Sequence, residues 1–292
     1  MDKKVSIGLP VYNGEQFIKN RLDSFIKQTF TNFELIISDN NSTDLTSIIC
    51  KEYQKKDKRI RYIRQEKNMG VTWNYNFVLK KAKGDYFVWA QVDDIWLPTF
   101  LEKNVNVLKS NKNLVGCMSK IDFYENKESV NKRSSLKEIL RKISHSKRPN
   151  SYPTSGTYDK KVRLFLKGGH VEILYGLYKT KYLYNSIVYE QFIGNDWATV
   201  LNVLRNGDFY IIDEILMHGA MTGDSSKGMI RLSRLFGRGV LGLVFPWGYF
   251  TSWCLKKMGF RIFLKNIDFF IRLNIEGQIS LLIDLIIYIK KK

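Results

Sequence analysis

The sequence predicts an α/β protein, a mostly parallel sheet flanked by helices, with a helical C-terminal extension. Three observations carry that prediction. Short apolar runs alternate with stretches of three- and four-residue apolar spacing from Val5 to Ala90, the pattern of a parallel sheet covered by helices. The 292 residues are 44% hydrophobic and 14% aromatic, enough for a sizeable buried core and too much for wholesale disorder. The residues that follow each strand are polar and specific, as expected where such sheets bind ligands.

The elements follow in order. Val5 to Leu9 reads as a strand that starts almost at once, without the long apolar run of a signal peptide. Phe17, Ile18, Leu22, Phe25 and Ile26 give a helix over about Glu15 to Gln28. Phe33 to Ser38 is a second, buried strand. A helix near Thr43 to Lys56, a strand at Ile60 to Arg64, a helix from Thr72 to Lys83 and a strand at Tyr86 to Ala90 complete the alternation.

Composition narrows the chemistry. Cys50, Cys117 and Cys254 are too few and too dispersed for a disulfide scaffold or a cysteine zinc cluster. The formal net charge of +19 is uneven: residues 126–167 hold 12 Lys+Arg against 3 Asp+Glu, residues 225–292 hold 12 against 3, and the rest is +1. A nucleic-acid protein would interleave its basic residues with aromatics on a sheet or recognition helix. Here they lie in a loop-like segment and beside apolar faces, so no nucleic-acid partner is expected.

Four strand ends meet on one rim: Pro10-Val11-Tyr12-Asn13-Gly14, Asp39-Asn40-Asn41-Ser42-Thr43-Asp44, Asn68-Met69-Gly70 and Gln91-Val92-Asp93-Asp94-Ile95-Trp96. Adjacent carboxylates at a strand end repel unless a cation or hydrogen bonds compensate, and hard oxygen ligands suit Mg²⁺ or Mn²⁺. The alternative is one aspartate capping the helix near Pro98 and the other in solvent.

Taken together, these motifs resemble the family 2 glycosyltransferases of GT-A fold, a Rossmann-like architecture, through residues 4–125 and again around 190–225. The resemblance implies that Pro10, Tyr12 and Asn13 form the first nucleotide-binding turn and that Asp39 faces the base. It places Asn68, Gly70 and Asn76 along the donor, Asp93 near the ribose or sugar, and Asp94 on the metal, Mn²⁺ or Mg²⁺. Two positions depart from the family pattern: Gln91 stands where an acidic residue is common, and Tyr75 where Arg often precedes the Asn.

Asn195-Asp196-Trp197 resembles the family's acidic motif at a helix start, with Asn195 replacing the first acid, and makes Asp196 the candidate general base. The competing reading is an N-cap. His218, after the strand-like Phe209 to Ile212, is a candidate metal or phosphate contact, because GT-A enzymes often place a His there, or a structural loop residue. Gly223 to Lys227 could close over the donor or be a surface turn.

The expected organisation is a catalytic domain at 1–225, comprising a nucleotide-binding half (1–125), a variable basic loop region (126–167) and an acceptor half (168–225), followed by a basic helical region at 226–292. Lys227, Arg231, Arg234 and Arg238 fall at helical spacing, as do Arg261, Lys265, Asp268 and Arg272. Apolar residues surround both stripes, the arrangement of in-plane membrane helices. Gly239 to Leu255 is uncharged for 17 residues, short of the roughly 20 of a spanning helix. Packing on the catalytic domain or on a second subunit is the alternative. The resemblance implies an inverting, metal-dependent transferase that uses a nucleotide sugar, UDP-linked by family frequency, and a lipid-linked glycan acceptor in surface polysaccharide or glycolipid synthesis. It would work at the cytoplasmic face of the membrane, peripheral or monotopic, against an anionic membrane surface. Polyprenyl phosphate as acceptor, a nucleic-acid-binding protein and a non-catalytic relative are the other readings.

Overall fold

The computed structural model describes residues 4–124, 153–168, 171–220, 228–237 and 239–289. β1 (Val5–Val11) is buried along its whole length, as a strand covered on both faces must be. β2 (Phe33–Asp39) and β4 (Tyr86–Trp89) pair with it in parallel, and β3 (Ile60–Arg64) extends the sheet beyond β2. α1 (Glu15–Ile26), α2 (Thr46–Lys56) and α3 (Val71–Lys80) make the connections. Pro10 lies past the last β1–β4 pair, Gly8 with Trp89, so its missing N–H costs the ladder nothing.

The second half reverses the pattern. β5 (Ile95–Trp96) and α4 (Phe100–Ser110) lead to β6 (Leu114–Tyr124). α5 (Tyr158–Gly168), a 3₁₀ turn (Val171–Tyr175), β7 (Leu177–Lys179), α6 (Thr180–Tyr184), α7 (Asn195–Val203) and β8 (Asp208–Ala220) follow. Among the described residues the sheet has eight strands in the order β3-β2-β1-β4-β7-β6-β8-β5. β7 is antiparallel to β4 and β6, β8 parallel to β6, and β5 antiparallel to β8. The mostly parallel α/β expectation holds for the nucleotide half, and the strand expected at Phe209 to Ile212 is the start of a much longer one.

α8 (Met229–Phe236), α9 (Gly239–Val244), α10 (Gly248–Met258), α11 (Phe260–Lys265) and α12 (Ile267–Ile289) close the chain. One face of these helices joins the core through Phe250, Cys254, Met258, Phe263 and Phe270. Asn266 interrupts the second expected basic stripe between Lys265 and Asp268, and Lys265 is spent on an ion pair with Asp159. Packing on the catalytic domain therefore accounts for that face. No helix among the described residues is long and apolar enough to cross a membrane. Most of the basic loop expected at 126–156, together with Gly223 to Lys227 and Arg238, lies outside the described residues.

Candidate active site

The first two strand-end loops lock together. Asn13 adopts a left-handed φ of 51°, a conformation Asn tolerates. Its N–H donates to Ser42 Oγ at 2.9 Å, and its side-chain oxygen accepts the Thr43 N–H at 2.8 Å. The Gly14 N–H donates to Thr46 Oγ1 at 2.8 Å, and the Glu15 N–H to Asp44 at 3.1 Å. Asn13 thus braces the rim, while Tyr12 beside it is half exposed and open to a ligand.

Asp39, which the resemblance sets facing the base, is fully buried. One carboxylate oxygen accepts the Ser42 N–H at 2.8 Å and the other the Tyr62 hydroxyl at 2.5 Å. Arg64 covers it, with Nη1 at 3.9 Å, and donates through Nη2 to Asn41 and the Ser42 carbonyl. A base reaching Asp39 would use its remaining lone pairs and displace part of this cover. Tyr62 and Arg64 escape sequence reading because they lie within their strand, ahead of the Asn68-Met69-Gly70 motif that follows it. Burial, and then the Asp39 bond, push the Tyr62 phenol up to about 12.

Asn68 and Gly70 build the third loop on β2. The Asn40 side chain donates to Asn68 Oδ1 at 2.8 Å, and Asn68 Oδ1 also accepts the Gly70 N–H at 2.9 Å. Gly70 holds φ of 85° with open space where a Cβ would stand; its backbone conformation, not crowding, demands glycine. Asn76 is half-buried on α3, next to Tyr75.

The Asp93-Asp94 loop is fixed from behind by α1. The Gln28 side chain donates to the Leu97 carbonyl at 2.9 Å and accepts the Leu101 N–H at 3.0 Å. It thereby caps α4, which has no side-chain cap of its own. The buried Arg21 guanidinium sits 4.3 Å from the Trp96 ring centroid and 4.4 Å from that of Phe25.

Asp93, Asp94 and Asp196 converge on two tyrosines. All three carboxylates raise the Tyr75 phenol, after burial, the largest cause. Tyr175 is raised by burial, then by Tyr75 and Asp196, and by Asp94. The Gln91 side chain faces the Tyr175 phenol and works against that rise, and Tyr175 does the same for Tyr75. Tyr175 could not be found from sequence, since its turn has no periodicity of its own.

Gly194, with φ of 90°, is the N-cap of α7, so the cap reading of Asp196 is overturned: it lies inside the first turn. Its Oδ1 accepts the Trp197 N–H at 2.9 Å, and desolvation raises its carboxyl above the usual range. The Asn195 side chain reaches Thr72 on α3 at 3.4 Å, tying base and donor halves together.

His218 is not in a loop after the strand but inside β8, paired with Ile95, the residue after Asp94. Its Nδ1 lies 3.4 Å from Asp122 Oδ2. Among the described residues no three His, Cys, Asp or Glu side chains gather to hold a metal. Buried Asp94 with Asp93 beside it suits an ion of the Mg²⁺ kind, which takes one or two carboxylates and completes its shell with water and substrate phosphates. The residues present fit such an ion.

A sequence model described as glycosyl transferase family 2 matches residues 6–170. An uncharacterised glycosyltransferase of Haemophilus influenzae is 36% identical over 124 residues, 42% of this chain and 38% of that protein. An Escherichia coli enzyme named UDP-Glc:alpha-D-GlcNAc-diphosphoundecaprenol beta-1,3-glucosyltransferase WfgD is 32% identical over 149 residues, 50% of this chain and 55% of that protein. The chain thus matches well under two thirds of these relatives' lengths. Among solved structures, Staphylococcus aureus TarS 1-349 in complex with UDP-GlcNAc aligns with a TM-score of 0.57 at 20% identity, over 80% of this chain and 64% of that one. Mannosyltransferase PcManGT of Pyrobaculum calidifontis, in complex with GDP-Man and Mn²⁺, gives 0.54 at 14%, over 80% and 62%. At such identity these structures establish the shared fold.

Proposed function

Since the chain belongs to glycosyl transferase family 2, we propose that it moves a sugar from a nucleotide-sugar donor to a membrane-linked glycan acceptor, with inversion at the anomeric carbon. The observation that carries this reading is the rim on which the Asn13, Asp39–Asp44 and Asn68–Gly70 loops are hydrogen-bonded to one another, with a buried Asp94 on the loop after β4; Asp93, Asp94 and Asp196 all bear on the Tyr75 phenol. The anomeric carbon's bond to the diphosphate breaks as the acceptor oxygen bonds to that carbon, and the acceptor proton passes to Asp196. A carboxylate raised by desolvation is a stronger base than an exposed one, and tuning towards the working pH favours proton transfer. Asp94, with Asp93, would hold the divalent cation, which supplies charge for the leaving diphosphate. Tyr12 and the 39–44 turn receive the nucleotide, with Pro10, Asn13, Asn68, Gly70 and Asn76 shaping the cleft. His218 keeps its Nε2 for the metal or a phosphate.

The names of the relatives support a UDP-linked donor and a lipid-diphosphate acceptor: WfgD is named for both, and TarS was solved with UDP-GlcNAc. Calorimetric titration with UDP-, GDP- and dTDP-sugars, with and without Mn²⁺, tests the donor side. At least one should bind, more tightly with Mn²⁺, and Asp94→Asn should abolish the metal's effect. Absence of binding by every nucleotide sugar in both conditions would contradict the reading.

A further observation supports attachment to an anionic membrane surface. Phe260, Leu264, Ile267, Ile271, Ile275, Ile279, Leu282, Ile286 and Ile289 recur at three- and four-residue steps along α11 and α12, and all are exposed. Lys256, Lys257, Arg261 and Arg272 flank that row, the setting of a helix lying in a lipid interface.

A further inference from the structure

We propose that Trp247, from the turn between α9 and α10, is a positioning residue for Asp196, so that the C-terminal helices complete the catalytic centre as well as facing a membrane. The inference rests on the role assigned to Asp196 above, and its structural half stands without it.

The indole is wedged between two glycines. A Cβ at Gly194, the N-cap of α7, would lie 2.9 Å from Trp247 Cζ3, and one at Gly277 on α12 would lie 2.6 Å from Trp247 Cδ1. Both separations are shorter than carbon atoms tolerate, so glycine at each position is what admits the ring. Trp247 also packs on Trp197 with ring centroids 5.2 Å apart. Phe165, Phe250 and Phe269 close around the same Trp197 at 6.1, 5.7 and 6.3 Å. The Trp197 N–H in turn donates to Asp196.

The first turn of α7 needs this support. Its cap is a glycine, which fixes a backbone at a higher entropic cost than other residues, and among the described residues its Trp197 N–H is held only by the neighbouring Asp196 side chain. Packing a large rigid ring against both the cap and residue 197 restricts that turn from outside. The same ring keeps water away from the neighbourhood in which Asp196 is desolvated, facing Tyr75 and Tyr175.

The test uses the full chain with Trp247→Ala, Trp247→Phe, Gly277→Ala and the double variant Gly277→Ala/Trp247→Phe. Amide hydrogen exchange should rise about tenfold or more in residues 195–199 of Trp247→Ala while β2 is unchanged, the mark of a local opening. In transfer assays kcat should fall about tenfold with the donor KM within about twofold, the pattern of lost transition-state alignment. Gly277→Ala should reproduce both effects by displacing the ring, and the smaller Phe of the double variant should restore them, a coupling that independent sites do not show. Wild-type exchange at 195–199 in Trp247→Ala and Gly277→Ala would overturn the proposal. So would a uniform rise across β2 and α7 with donor KM and kcat changing together, since that marks general loosening. Should the wild type transfer no sugar, the assigned reaction falls, while the exchange comparison still decides whether Trp247 orders this turn. Trp247→Phe and Gly277→Ala keep the test open if Trp247→Ala does not fold.

Discussion

Asp196, the proposed general base, also carries a cost. Desolvation raises its carboxyl above the ordinary range, so the native state holds the proton more tightly than the unfolded chain. The stability contributed by this group is therefore full at acid pH and lost as pH rises through the raised value. Asp196→Asn removes the desolvated charge, so the variant should melt higher than wild type near about pH 8, with the gap closing towards about pH 4. Differential scanning calorimetry across that range checks the sign; a variant less stable at the alkaline end would contradict it. The acid limb of wild-type turnover should also lie above the roughly 3.9 of an ordinary Asp. The sequence made Asp196 visible through its motif, but not its desolvation; the rings around the adjacent Trp197 come from α5, α10 and α12, on both sides along the chain. Asp39 is the converse: the motif identified it, yet Tyr62 and Arg64, which enclose it, lie within the next strand, outside any motif.

Among elements, the α1–α4 junction fixes where Asp93 and Asp94, the proposed metal ligands, stand. Gln28→Leu leaves the Leu101 N–H without its partner, while the Leu97 carbonyl keeps the Phe100 N–H, at about 1–3 kcal/mol for the one buried group left unpaired. The variant should melt several degrees lower and bind the donor more weakly with Mn²⁺, measured by thermal denaturation and calorimetry. Unchanged donor affinity alongside a lowered melting temperature would confine Gln28 to stability. The parallel strands and their helices were legible because Val5–Val11 and Phe33–Asp39 are buried runs and α1 presents Ile18, Leu22 and Phe25 at helical spacing. His218 was misplaced for a physical reason. β8 continues through Asp213 and Glu214 with register shifts against β6, and its partner β5 is two residues long and exists only through that pairing. Neither feature leaves an alternation to read.

At the scale of the molecule, the +19 charge describes a nearly neutral body with two basic segments. The C-terminal segment is two-faced. Phe263, Phe270, Leu273 and Gly277 pack inward, while the row from Phe260 to Ile289 faces outward. That double apolar character reads the same in sequence as an in-plane membrane helix, so the inward half, including Trp247, could not be separated from the outward half without the fold. Liposome flotation should recover the protein with anionic vesicles and much less with zwitterionic ones, and the difference should shrink at high salt. Ile275→Asp with Leu282→Asp should release it. Retention of vesicle binding by that variant, or a concentration-dependent dimer that disappears with the same changes, would assign the row to another surface.

The central claim is that one half-buried, desolvated carboxylate deprotonates the acceptor, and its most direct test is turnover of purified Asp196→Asn at saturating donor and acceptor. The account predicts a fall in kcat of about 10² to 10⁴, the usual worth of a general base, with donor affinity unchanged and wild-type folding retained. Wild-type turnover by Asp196→Asn would contradict it.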